Sequence, residues 1–345
     1  MRKKTARSRK KWIIGVSITA LILMLFGYFG YQGFGVYHAL DGLDQSKDEL
    51  QIGAHQEDET MKPEEWTGTE PVNILLMGGD NRGLNKNESA RSDSLLVVSM
   101  NPVTKQARLF SVLRDTYVSI AGHDEGRINT ALALGGPNLA MKTVGDLLGL
   151  DIQYYVYTDF EGFKSLIDAI GGVELDVEKA MNYTDNADGN RYDIHLKKGL
   201  QKLDGTNALG YVRFRHDAMS DFARTERQRK LLAAVADKLK SGWNLTKMKP
   251  IVESVAPYVQ SNLDVSDMME LAALGFKSQM AGSAQVPPMD LLEGRKVHGA
   301  SVLAVKNEEE VHEYVKELLE NNNNANDSDA GTAPDSGAGV VGGGK

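Results

Sequence analysis

Residues 211–228 read Y-V-R-F-R-H-D-A-M-S-D-F-A-R-T-E-R-Q, which gathers Arg213, Arg215, Arg224, Arg227 and Gln228 around Asp217 and Asp221. So many guanidinium groups in one short stretch have the composition of an anion clamp, since each can make paired hydrogen bonds to a phosphate or carboxylate. If the segment holding Arg213 and Arg215 is extended, both guanidinium groups leave one face while Val212 and Phe214 leave the other. From Asp221 to Lys240 the pattern is helical. Leu231, Leu232, Val235 and Leu239 form a buried stripe, and Arg224 and Gln228 continue it toward the N-terminus. A guanidinium turned toward a core without a counter-ion is costly, so this polar start implies internal carboxylate partners or an anionic ligand in a cleft. A solvated lattice of Arg–Asp pairs is the plainer alternative.

Two carboxylates add a second kind of chemistry. Asp80 follows an apolar run and two glycines, and Asp93 stands in A-R-S-D-S before the next run. Neighbouring strand ends can bring both together, and two convergent Asp oxygens suit Mg2+, which takes one or two carboxylates and completes its shell with water and phosphate oxygens. Either Asp alone could equally be a turn or cap residue. Arg91 lies two residues before Asp93, and Arg114-Asp115 closes another strand, where side chains often line a ligand crevice. Several arginines around one metal would neutralise a diphosphate and stabilise charge arising during its transfer. Arg114 paired with Asp115 is the structural alternative. Asn129 opens a helix and either caps it or binds. The chain has no nucleophile elbow, H-E-x-x-H motif, Walker A loop or G-x-G-x-x-G fingerprint, and its seven histidines lack ligand spacing.

These residues need a scaffold. Val72–Met77, Ser94–Met100 and Ala107–Leu113 are short apolar runs bounded by turn residues, and they read as central strands. A helix is expected over 137–148, a strand over Tyr154–Thr158, a helix over Phe160–Ile170 capped by Asp159 and closed by Gly171-Gly172, and a strand over Val173–Val177. Strands alternating with helices predict a layered α/β domain. Past Gly242, helices near 246–260 and 266–277, a strand at Ala300–Val305 and a helix over 307–320 either complete that domain or form a subdomain.

Seven Lys and Arg residues precede Trp12, and no acid appears before Asp41. Trp12–Val36 is uncharged and mostly apolar, long enough to cross a hydrocarbon core of about 30 Å at 1.5 Å per residue. The basic arm places the N-terminus in the cytoplasm and the rest outside. A cleaved signal peptide is the alternative, but the run is long and lacks a clear small-x-small cleavage site. Beyond the arm, 32 Lys plus Arg stand against 47 Asp plus Glu, a net charge of −15. That field disfavours a nucleic-acid partner and makes the arginine cluster a local site. With no cysteine, disulfides, thiolate ligands and Cys nucleophiles are excluded. The expected organisation is a basic arm at 1–11, a signal anchor at 12–37, a juxtamembrane spacer at 38–70, a catalytic domain at 71–242, an extension packed on it at 243–320 and a disordered tail at 321–345.

The series N-I-L-L-M-G-G-D, A-R-S-D-S-L-L-V-V, S-V-L-R-D-T-Y-V, R-I-N-T-A-L-A-L-G-G, D-F-E-G-F-K-S-L-I-D-A-I-G-G-V-E-L-D-V and L-D-G-T-N-A-L-G-Y-V-R-F-R-H-D resembles, in this order, the LytR-CpsA-Psr family of Gram-positive cell-envelope proteins. The resemblance covers roughly residues 70–240. It implies an α/β/α sandwich with a central mixed sheet behind one transmembrane helix, and an apolar tunnel for a lipid, for which Leu132, Leu147, Phe163, Leu166 and Ile167 are candidates. It further implies a Mg2+-dependent phosphotransferase, with Mn2+ as a substitute ion, that moves a glycopolymer such as wall teichoic acid from a polyprenyl diphosphate carrier to a peptidoglycan hydroxyl. By motif position, Asp80 and Asp93 resemble the metal ligands. Arg91, Arg114, Arg213, Arg215, Arg224 and Gln228 resemble the diphosphate-binding set, with Arg227 and Asn129 at its margin. Leu113 stands where the family usually has proline, which bears on the backbone at Arg114. Polyprenyl diphosphate hydrolysis and a non-catalytic envelope regulator are the competing readings.

Overall fold

Strand β1 (Val72–Gly79) is buried along nearly its whole length, and its pleat sorts the run into two sets. Leu75 and Met77 point to one side; Val72, Ile74 and Leu76 point to the other. A strand apolar on both faces belongs in the middle of a sheet covered on both sides. The computed structural model describes residues 34–41, 66–79, 92–184, 193–214 and 220–320. Asp80, Arg91, Arg215, Asp217, the tail at 321–345 and most of the anchor and spacer lie outside the described residues.

β1 pairs antiparallel with β2 (Ser92–Asn101) and parallel with β6 (Tyr154–Asp159). With β3 (Gln106–Val112), β11 (Val259–Ser261) and β12 (Gln279–Gln285), they form a mixed sheet in the order β11-β6-β1-β2-β3-β12. Both edge strands come from beyond residue 242, so the expected boundary there falls inside the folded unit. The register gives the sheet two ends. Gly78 lies beside Ser94 and Thr158 at one, the site end. Val72, Met100 and Ala107 are in register at the other, the base end.

One face of the sheet is closed by α2 (Ala131–Leu148) and α9 (Glu308–Glu320), whose Val144, Leu147 and Val311 pack on Leu75, Val97, Phe110 and Tyr155. Leu132 and Leu147, expected in the tunnel, are core of this layer instead, on the face of the sheet away from the cavity described below. The other face meets α3 (Phe160–Ala169), α4 (Gly205–Arg213), α5 (Ser220–Leu239), α7 (Met248–Val255) and α8 (Val265–Lys277). Asp159 caps α3 by accepting from the Gly162 N–H at 2.9 Å, and Gly171 and Gly172 end it with φ of 79° each, a backbone that glycine adopts without penalty.

Two sequence expectations change. The segment holding Arg213 is helical, because Asp204 accepts from the Asn207 N–H at 2.8 Å and starts α4, so Val212 and Arg213 do not alternate as on a strand. The helix expected over 246–260 breaks at Pro257 into α7, a 3-10 turn (Ala256–Tyr258) and β11. Residues 34–41 form a helix, α1, whose Ala39 is buried against Val252 of α7. Among the described residues no helix is long and apolar enough to cross a membrane.

Candidate active site

Between the sheet and the α3/α4/α5 layer runs a cavity of about 670 Å³. Its walls are apolar for most of their length: Leu76, Leu96 and Val156 from the sheet, Phe163, Leu166 and Ile167 from α3, and Leu231, Leu232 and Val235 from α5. Its site end is polar, with Asp93, Ser94, Arg114, Arg213, Arg224 and Gln228 on the lining. One space therefore offers cations to an anion and hydrocarbon to a chain.

Asp93 reaches that lining through a bulge. Gly78 pairs with Ser94 and Gly79 with Ser92, so Asp93 is the extra residue on β2. A regular strand would send Asp93 and Ser94 to opposite faces, whereas a bulge re-aims one of them, and both line the cavity. Gly79 is required here, since a Cβ would overlap the Tyr157 hydroxyl. Arg114 follows β3 in a turn closed by the Thr116 N–H on the Leu113 carbonyl at 3.0 Å. Its Nη1 donates to Asp93 Oδ1 at 2.5 Å, and its Nε lies 3.7 Å from Asp115, which also faces Arg127 at 3.4 Å. Leu113 is buried and the turn forms without proline.

Arg213, the last residue of α4, lies over the Phe160 ring at 5.0 Å. Arg224 is buried in the early part of α5, and one turn later Gln228 accepts from Ser94 Oγ at a long 3.4 Å. Helix and sheet thus meet at the polar end. Ser94, Thr158 and Phe160 were not singled out from the sequence; the alternation of β2 and β6 is the signal that places the first two on this face.

Arg227 does something else. It does not line the cavity; its Nε donates to Glu178 Oε1 at 2.6 Å, its Nη1 donates to the Phe214 carbonyl at 2.8 Å, and its guanidinium covers the Phe214 ring at 5.5 Å. The Tyr211 hydroxyl donates to Glu178 Oε2 at 3.1 Å. Burial pushes the Glu178 carboxyl up, but the hydrogen bonds from Arg227, its own backbone N–H and Tyr211 outweigh it and leave the group below its ordinary value. Burial, then Glu178, pushes the Tyr211 phenol up. Asn129 sits in the 3-10 turn Ile128–Thr130 with its N–H on the Arg114 carbonyl at 3.3 Å; Thr130, not Asn129, is the N-cap of α2.

The LytR_cpsA_psr family matches residues 36–319 of the chain. The chain belongs to that family. Among LytR_cpsA_psr relatives, the polyisoprenyl-teichoic acid–peptidoglycan teichoic acid transferase TagV of Bacillus subtilis is 32% identical over 280 residues, 79% of this chain and 70% of that protein. The regulatory protein MsrR of Staphylococcus aureus is 34% identical over 201 residues, 58% of each. The structure of B. subtilis TagT with bound octaprenyl pyrophosphate lipid superposes with a TM-score of 0.56 at 26% identity, covering 78% of this chain and 98% of that one. The fold is the mixed α/β arrangement of these family structures.

The donor set can be weighed for a metal. Among the described residues no three His, Cys, Asp or Glu side chains gather. Asp93 and Asp159 line the cavity, and Asp159 is engaged as the cap of α3. A cation beside Asp93 would therefore draw most of its ligands from water and substrate oxygens, the habit of Mg2+.

Proposed function

We propose that this chain is a membrane-anchored phosphotransferase that moves a teichoic acid or similar anionic glycopolymer from a polyprenyl diphosphate carrier to a sugar hydroxyl of peptidoglycan. The observation that carries this reading is the amphiphilic cavity, whose polar end bears three arginines and Asp93 and whose remaining length is hydrocarbon. Arg114, Arg213 and Arg224 would grip the diphosphate, Gln228 would donate to a phosphate oxygen, and the α3 and α5 walls would hold the isoprenoid. Arg215 and Arg91 are expected beside them by motif position.

The acceptor hydroxyl oxygen attacks the phosphorus that carries the sugar; the bond from that phosphorus to the bridging oxygen breaks, and polyprenyl phosphate leaves. Little covalent work falls to the protein in such a step, so positioning and charge stabilisation dominate. The pair formed by Arg114 and Asp93 keeps a cation and an anion side by side where the phosphoryl charge spreads. Mg2+, or Mn2+ in its place, fits beside Asp93, with Asp80 the expected second carboxylate, and when bound supplies Lewis-acid stabilisation of the phosphoryl oxygens.

Incubation of the full chain with lipid-linked polymer, with and without peptidoglycan oligomers, tests the reading. Polymer joined to the oligomer through a phosphodiester is expected. Free glycan phosphate alone would mean hydrolysis, and binding without any product would mean a regulator.

A further inference from the structure

The geometry points to the base end of the sheet, with α8 laid across it, as the face that rests on the outer surface of the bilayer, so that the diphosphate site stands away from the membrane. This rests on the anchor reading of residues 12–36 but goes beyond it, because an anchor alone does not say which way the domain faces.

Three observations converge on this end. First, α8 starts beside β11 and ends where β12 begins, and its Leu271 and Leu274 pack on Val72, Met100 and Ala107, so it closes the base. Second, nine large apolar side chains are exposed among the described residues, and six of them, Phe34, Tyr37, Val103, Met269, Phe276 and Met280, lie on α1, the β2–β3 turn, α8 and the start of β12. All six belong to elements at or adjoining the base, and an exposed apolar cluster of that kind marks an interaction surface. Third, lysines rim the same end in a domain that is otherwise acidic. Lys105 in the turn, Lys240 after α5, Lys247 before α7 and Lys277 at the end of α8 are all exposed, against Asp237 and Glu270. Lys240 Nζ donates to the Ser278 carbonyl at 2.6 Å, which fixes the C-terminal end of α5 at the base.

A second chain would suit the apolar residues, but the bilayer suits the whole set, because the uncharged run ends where α1 begins. A Cβ on Gly35 of α1 would touch the Lys249 side chain, and α1 packs through Ala39 against Val252 and Met268. The point where the chain leaves the apolar run is therefore held against the folded domain beside α8. Apolar side chains ringed by lysines match the boundary between acyl chains and lipid phosphates. From Val72 to Gly78 is six steps of strand, so the polar end of the cavity stands roughly 20 Å above the base at about 3.3 Å per residue. The carrier would then enter the domain tail toward the bilayer and head toward the wall.

The absence of cysteine allows a direct test. Single substitutions Phe34→Cys, Met269→Cys, Phe276→Cys and Leu134→Cys in the full chain, each labelled with a fluorophore, are placed in phosphatidylglycerol/phosphatidylcholine vesicles carrying a headgroup-linked quencher. Position 134 opens α2, near the site end. Quenching at 269 and 276 as strong as at 34, with 134 unaffected, is expected. Quenching at 34 but not at 269 and 276 overturns the orientation and leaves the anchor standing. No quenching at 34 removes the anchor and the orientation together, and quenching at 134 instead turns the domain over. Labels at Val103 and Lys277 serve where a labelled variant loses its thermal transition.

Discussion

Arg227→Ala separates a guanidinium that holds the protein from one that would hold the substrate. Its side chain is 2% exposed and serves Glu178, the Phe214 carbonyl and the Phe214 ring. Truncating one member of a buried pair costs about 3–5 kcal/mol. Glu178 is 40% exposed, so water recovers part of its charge and the loss falls to roughly 2–3 kcal/mol. For a domain of this size each kcal/mol moves the midpoint by about 2–4 °C, which gives a drop of about 4–12 °C. Arg213→Ala should behave in the opposite way. It removes a cation over Phe160 worth about 0.5–1 kcal/mol in a partly exposed setting, so the midpoint moves by no more than about 4 °C. It also removes a charged hydrogen bond of about 1.5–3 kcal/mol to the diphosphate, or roughly a 10- to 100-fold rise in Kd. Calorimetric melting and titration with farnesyl diphosphate, run on both variants, make the comparison. An Arg227→Ala protein that melts like the parent but binds the diphosphate 10-fold more weakly would refute the division of roles, with that order of effect set by one charged contact.

The clamp also has a pH signature. Glu178 lies below its ordinary value of 4.5 in the fold, so its contribution is full above that pH and is lost as pH falls below 4.5 through the folded value; melting curves of Glu178→Gln against the parent should converge on acidification. Asp93→Asn keeps the shape but removes a carboxylate charge, and single-turnover transfer should fall by about 10²–10³-fold with the midpoint shifted by only a few degrees. Leu166→Trp fills the apolar wall on α3, and a long-chain carrier should lose affinity while farnesyl diphosphate keeps most of its own, since each excluded CH2 is worth about 0.8 kcal/mol. Gly79→Ala drives a methyl into the Tyr157 hydroxyl, and denaturant unfolding should show a loss of about 1–3 kcal/mol.

What was legible in the sequence follows the range of the forces involved. The runs at 72, 94 and 107 are strands because a buried strand needs apolar residues on both faces, which a short window displays. Asp159 and the glycines at 171 and 172 delimit α3 by local hydrogen bonding and φ, and these too are local. The edge strands were not legible. Gln279–Gln285 reads Q-M-A-G-S-A-Q, with little β-propensity, and becomes a strand only because β3 offers an unpaired edge. The same limit explains Leu132 and Leu147, which have the right chemistry for a lipid wall, but no periodicity states which face of the sheet their helix will cover. Arg227 differs from Arg224 by three positions, and only the placement of Glu178 decides that one is clamped and the other faces the cavity.

Helix α5 shows why an amphiphile, rather than two separate ligands, suits this space. Arg224, Gln228, Leu231 and Val235 follow one stripe and all line the cavity. Eleven residues separate the first from the last, roughly 16 Å of helix at 1.5 Å per residue. A free diphosphate would occupy only the first turn and leave the hydrocarbon walls facing water, while a bare hydrocarbon would leave guanidinium groups in a dry crevice without an anion. A ligand that satisfies both ends must carry charge at one end and at least that length of apolar chain behind it. Because both ends are fixed on one rigid helix, head and tail are registered together. Shortening the tail should therefore weaken binding progressively until the chain no longer reaches Val235, and the first apolar units nearest the head should matter as much as those deeper in. A series of diphosphates of increasing prenyl length, titrated into the full chain, should show affinity rising and then levelling once the span is filled. Affinity independent of length would mean that the walls along α5 are ordinary core and that the site reads the diphosphate alone.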